Sequence, residues 1–169
     1  MTKQALIVGG GMGGLACAVA CARAGWEARV YEQAAVFGEI GAGIQLGPNA
    51  TRILCDWGLE AELNRVAAFP QHLRVRGALR GDELGVLRLG ATFTERYDAP
   101  YATLHRADLQ AILLDAAQAA GTRPNLSSRL TSVFALDDVI GMQLDGGVDV
   151  EGDVLAGADG VWSTVRNLI

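Results

Sequence analysis

Residues 5–33 read ALIVGGGMGGLACAVACARAGWEARVYEQ, with five glycines among six residues between an apolar run and an alanine-rich segment. Residues 4–8 (QALIV) predict a short strand, 12–24 a helix whose inward positions are mostly Ala, Cys and Leu, and 28–32 (ARVYE) a second strand; Gly25 ends the helix. Strand, helix and strand within about 30 residues make the βαβ unit of a parallel sheet. Gly9, Gly11 and Gly14 satisfy G-x-G-x-x-G, and Gly13 shares their turn. The first glycine permits a tight turn, the second lets backbone approach a diphosphate, and the third lets the helix press on the sheet. The helix N-terminus then offers free N–H groups and the positive end of its dipole to an anion, without any lysine.

Such a glycine pattern alone is equally explained by a structural turn. Its setting points further, because Glu32, followed by Gln33, comes about 20 residues on at the end of the second strand, where a carboxylate can accept the hydroxyls of an adenosine ribose. Dinucleotide binding is therefore expected, and an acid at this position disfavours the 2′-phosphate of NADP in this cleft.

The totals restrict the alternatives. The chain has 169 residues, half of them hydrophobic and a fifth charged, which suits one domain-sized core. No apolar run approaches the roughly 20 residues of a membrane helix, and no signal peptide is recognisable, so a cytoplasmic protein without membrane attachment is expected. The net charge of −5 is mild and the basic residues are scattered, which excludes the clustered footprint of a nucleic-acid binder. Three cysteines at no metal-like spacing argue against a metal site or a disulfide framework. Cys17 and Cys21, one helical turn apart, read as small apolar residues on a buried helix face. His72 and His105 lie in strand-like runs and read as packing or surface residues.

Beyond the first unit, FGEIGAGIQLGPN (37–49) reads as a glycine-spaced loop. It leads to a helix with Ala50, Ile53, Leu54 and Trp57 on one face, Pro48 at its start and Gly58 at its stop. HLRVR, GVLRL and YATLH between 71 and 105 predict antiparallel strands of a different layer. Residues 106–120 return to helix, with Leu109, Ile112, Leu113, Ala116 and Ala117 along one side. Three β-runs follow near 129–136, 139–144 and 147–151, the last two joined by a hairpin turn at Asp145-Gly146. A strand, DVLAGA, then enters Asp159-Gly160 and a closing helix from about 161. The expected class is α/β, a Rossmann-like dinucleotide-binding fold with a parallel sheet, a β-meander and a separate antiparallel layer.

GAGIQLGPNATRIL and DVLAGADGVWSTVR, with the glycine turn, resemble the FAD-dependent aromatic hydroxylases, single-component flavoprotein monooxygenases of the salicylate hydroxylase, 3-hydroxybenzoate 6-hydroxylase and 6-hydroxynicotinate 3-monooxygenase branch. The resemblance covers nearly the whole chain. It implies a Rossmann-like FAD/NAD(P)-binding fold, with residues 1–70 and 106–169 as the FAD-binding part and 71–105 as the start of an antiparallel substrate-domain sheet. It further implies bound FAD, NAD(P)H as reductant, and O2 and a small aromatic compound as substrates. It also implies that Gln45, in the GAGI-type loop, donates a hydrogen bond near the isoalloxazine. Arg106 in LHRADL stands at a helix start, unfavourable for a cation unless a phosphate or flavin oxygen is near. Leu130 corresponds to a backbone contact on the adenine side. Asp159 and Gly160, after the small Ala156, Gly157 and Ala158 and before Ser163 and Arg166, correspond to a diphosphate-associated segment; Asp159 can also be a plain helix cap, and both readings can hold together.

The family's enzymes are more than twice as long, and their later Gly-Asp motif has no counterpart, since Gly81-Asp82 and Gly152-Asp153 lack its setting. No catalytic acid or base is assigned. A flavin-dependent dehydrogenase or oxidase on the same fold, or a non-catalytic flavin-binding module, stays open. The runs at 71–105 would leave edges and an apolar face uncovered, so a fragment, or a homo-oligomer hiding those surfaces, is expected.

Overall fold

The computed structural model describes residues 2–38, 42–136 and 139–169. In chain order, β1 (Gln4–Val8), α1 (Met12–Arg23) and β2 (Glu27–Tyr31) are followed by β3 (Gly43–Leu46), α2 (Pro48–Asp56) and α3 (Glu60–Val66). Then come β4 (His72–Arg76), β5 (Glu83–Arg88), α4 (Ala91–Tyr97), β6 (Ala102–His105) and α5 (Arg106–Ala119). The chain closes with β7 (Leu130–Leu136), β8 (Val139–Leu144), β9 (Val148–Gly152), β10 (Val154–Gly157) and α6 (Val165–Leu168). It divides into two compact units, Met1–Glu39 with Leu113–Ile169, and Ile40–Ile112, the division falling inside α5.

In the first unit β1 is the centre of a parallel sheet ordered β10-β1-β2, with Ile7 opposite both Ala156 and Val30. A strand covered on both faces must be apolar throughout, and Ala5 to Val8 are all buried. Burying Leu6 or Ile7 completely is worth about 1.5–3 kcal/mol each. α1 turns Gly14, Leu15, Ala18 and Val19 inward, small side chains that let it lie close to the sheet. Cys17 and Cys21 are half-buried, at the border of that face rather than at its centre. Burial and the adjacent Cys21 thiol push Cys17 up to about 11.

The antiparallel meander β7-β8-β9 contributes Leu130, Met142 and Leu144 to a core shared with Leu6, Val8, Tyr31 and Val165. Its β8–β9 turn is the expected hairpin at Asp145-Gly146. α6 begins at Val165, later than the expected 161, because residues 161 and 162 form a turn and 164 a bend before it.

In the second unit the segment expected as a loop is in part a strand: β3 pairs antiparallel with β6, Gln45 opposite Thr103. Glu39, Ile40 and Gly41 of that segment lie outside the described residues. YATLH thus joins β3 rather than the HLRVR layer, while β4 and β5 pair only with each other. α2 buries Thr51 and Leu54 and leaves Ile53 exposed, so the inward stripe is displaced from the expected Ala50–Ile53 line. The reason is polar: the Thr51 hydroxyl donates to Pro100 O at 2.6 Å, which lets a threonine be buried. α3 and α4, short helices with weak apolar periodicity, were not expected. Among the described residues no helix is long and apolar enough to cross a membrane.

Candidate functional site

The C-terminal ends of β1, β2 and β10 converge on the glycine turn. Gly9, at φ +105°, follows β1 directly and donates its N–H to Tyr31 O at 2.8 Å. A Cβ on Gly9 would stand 2.4 Å from Ala158 O, and one on Gly14 only 1.8 Å from Gly9 O. The protein's own packing therefore requires both glycines. Gly11 differs, because a Cβ there would meet nothing within 4 Å, although it is the N-cap of α1 and no side chain caps that helix. Its bareness keeps open the space over the first N–H groups of α1, where an anionic group can approach. This opening fits a dinucleotide's diphosphate. Gly13 is exposed, also with no close neighbour.

Glu32 follows β2. Its Oε2 accepts from Gly10 N–H at 2.6 Å and its Oε1 from Ala34 N–H at 2.8 Å. A carboxylate has about four acceptor sites, so each oxygen keeps room for a further donor such as a sugar hydroxyl. Residues 125–128 are laced to the same end of β2. Asn125 N–H donates to Val30 O at 2.7 Å, Glu32 N–H to Asn125 O at 2.8 Å, Ser127 N–H to Ala34 O at 3.0 Å and Ser128 N–H to Glu32 O at 2.8 Å.

Asp159 is not the N-cap residue expected of it, since that position of α6 is Thr164, but its carboxylate caps the helix start from five residues earlier. Its Oδ1 accepts from the Ser163 hydroxyl at 2.6 Å, and its Oδ2 from Thr164 N–H at 2.6 Å and Val165 N–H at 3.0 Å. Burial pushes its carboxyl up, but the Ser163 hydrogen bond, with those from the Val165 and Thr164 backbone, outweighs this and holds it below the ordinary 3.8. The Ser163 hydroxyl oxygen in turn accepts from Arg166 N–H at 3.0 Å. Gly160, at φ +79°, makes the turn between strand and cap.

A cleft of about 470 Å³ brings together Gly9, Gly11, Glu32, Gln33, Leu130, Asp159 and Gly160, a volume usual for small-molecule sites. Gly13 and Gly14 do not line it; Gly14 acts beneath it, in the contact of α1 with the turn. Gln45 and Arg106 belong to the other unit. There Gln45 is exposed on β3 and its side-chain oxygen accepts from the Tyr101 hydroxyl, while Arg106 opens α5 and donates its N–H to Ala42 O at 3.0 Å. Sequence reasoning missed Tyr31, Arg129 and Trp162 in the cleft wall. Only the neighbourhood of Leu130 carried a signal for Arg129. Among the described residues no three His, Cys, Asp or Glu side chains cluster as a metal site.

Over 160 residues the chain is 42% identical to 6-hydroxynicotinate 3-monooxygenase of Bordetella bronchiseptica, covering 95% of this chain and 41% of that protein. It is 38% identical over 162 residues to 3-hydroxybenzoate 6-hydroxylase of Polaromonas naphthalenivorans, covering 95% and 40% respectively. The chain thus spans about two fifths of the length of these relatives. Klebsiella pneumoniae HpxO, solved with FAD and uric acid, superposes with a TM-score of 0.82 at 27% identity, over 97% of this chain and 41% of that one. Residues 2–169 match the model of one family along nearly their whole length, and with the open glycine turn before them the chain belongs to the FAD binding domain family.

Proposed function

We propose that the chain is the FAD-holding part of a monooxygenase that hydroxylates a small aromatic compound, of hydroxybenzoate or hydroxypyridine-carboxylate type, using NAD(P)H and O2. The observation that carries this reading is the asymmetry of the glycine turn. Gly9 and Gly14 are demanded by internal packing, whereas Gly11, which lines the cleft, has open space where a side chain would stand.

In this proposal the N–H groups at the start of α1 bind the diphosphate, and Glu32, steadied by Gly10 and Ala34, receives the adenosine ribose beside Gln33. Leu130 contributes backbone at the adenine side, and Asp159 and Gly160 form the wall near the diphosphate. Gln45 and Arg106 are carried in the proposal as flavin contacts on the family resemblance alone. Gly13 is carried as part of the turn and Gly14 as its support. FAD, when bound, supplies the redox chemistry, and these residues supply binding and orientation. Residues 1–70 and 106–169 as the FAD-binding part, 71–105 as the start of a substrate domain, homo-oligomeric assembly and a cytoplasmic location belong to the same proposal.

Titrating the purified chain with FAD and following flavin fluorescence tests the binding half; no saturable uptake sinks it. For a longer protein containing this chain, NAD(P)H oxidation that yields hydroxylated aromatic product supports the monooxygenase. Peroxide as the sole product, with every aromatic acid tried, would assign an oxidase instead.

A further inference from the structure

Three charged side chains line the cleft: Glu32, Asp159 and Arg129. The two carboxylates are engaged by Gly10, Ala34, Ser163, Thr164 and Val165. Neither pairs with Arg129, whose exposed side chain has no hydrogen bond or ion pair among the described residues. An exposed arginine is ordinary in itself, but the backbone beneath this one is not. Ser127 holds φ +52°, a left-handed conformation uncommon for a residue other than glycine, and the bonds from Asn125, Ser127 and Ser128 to the end of β2 keep it there. On the other side Arg129 O accepts from Asp145 N–H at 2.9 Å. The main chain of Arg129 is thus pinned from both directions, beside the carboxylate-bearing end of β2.

We propose that Arg129 is the counter-charge this chain supplies to the diphosphate of its dinucleotide, an inference that rests on the FAD reading above. Without Arg129 every charged side chain lining the cleft would be an anion, and within its wall a diphosphate would have only the α1 dipole in its favour. A guanidinium fits the task, being always charged, weakly hydrated and shaped for two phosphate oxygens. The glycine turn contains no cation, so a positive charge in the cleft wall has to come from a segment distant in sequence, and Arg129 is the one that lines it.

The test uses the whole 169-residue chain with FAD, ADP, adenosine and riboflavin as probes, at about 50 mM and about 200 mM salt. Arg129→Gln is expected to weaken FAD and ADP about tenfold at the lower salt, with the gap narrowing at the higher, as for a screened charge. Adenosine and riboflavin should bind each protein alike, and Arg129→Lys should retain most of the affinity. Circular dichroism and thermal midpoint of each variant should match the parent. Equal ADP and FAD affinity in Arg129→Gln, a loss shared by adenosine, or a loss indifferent to salt would overturn the role of Arg129 while leaving the FAD reading intact. A parent chain that binds neither FAD nor ADP removes both.

Discussion

Glu32 Oε2 accepts the Gly10 N–H at 2.6 Å, so the residue at the end of β2 is tied to the middle of the glycine turn rather than merely lying beside it. The carboxylate thereby shapes the turn as well as the cleft. Glu32→Gln keeps the shape but places an amide N–H₂ near one of two N–H donors, Gly10 or Ala34. The expected result is a stability loss of about 1.5–3 kcal/mol in urea unfolding, with weaker FAD binding. An unchanged unfolding midpoint would show that these two hydrogen bonds contribute nothing.

Gly11 and Gly14 of the motif should separate by experiment. Gly14→Val drives side-chain atoms into Gly9 O, where a Cβ alone would already be 1.8 Å away, and is expected to abolish soluble folded protein. Gly11→Val meets open space, so it should fold with a thermal midpoint within a few degrees of the parent and lose FAD uptake at least tenfold. Equal FAD affinity in Gly11→Val would contradict the assignment of the opening to the diphosphate.

Asp159 gives a pH signature. Its folded pKa lies below the ordinary 3.8, so its contribution is present above that value and fades as pH falls through the lower folded pKa. Asp159→Ala should cost about 1 kcal/mol at pH 7, as loss of a helix cap does, and parent and variant should converge in the acid range below the ordinary value. Differences that persist undiminished at acid pH would mean that packing rather than charge is responsible.

The β4–β5 hairpin leaves Val75 55%, Leu84 65% and Leu87 50% exposed, with each strand paired only to the other. Surfaces of this kind associate. Sedimentation velocity should show concentration-dependent self-association of the chain, reduced by Val75→Lys with Leu87→Asp. A monomer at all concentrations would remove the hairpin as the contact.

The local order 4–33 was legible in the sequence because each signal there is short-range: an apolar run, glycines at fixed offsets, and a carboxylate one step past the second strand. The meander was legible for the same reason, through Asp145-Gly146 and its flanking runs. The partner of YATLH was not, because 43–46 carries too little alternation to announce a strand until β6 lies against it. Nor could periodicity show that α2 buries Thr51 instead of Ile53, since that depends on Pro100 O, 49 positions away.

Within residues 5–33 the amino-acid order determined a parallel βαβ unit with a bare turn suited to a diphosphate, because glycine's missing side chain and the helix dipole act over a few residues. Tertiary structure alone decided which glycines serve packing and which serve the opening, that Asp159 is bound up as a cap, and that Arg129 stands in the same wall as Glu32. Those outcomes depend on contacts between segments up to about 150 residues apart, such as Gly9 against Ala158, whose distances are fixed only when β10 pairs with β1.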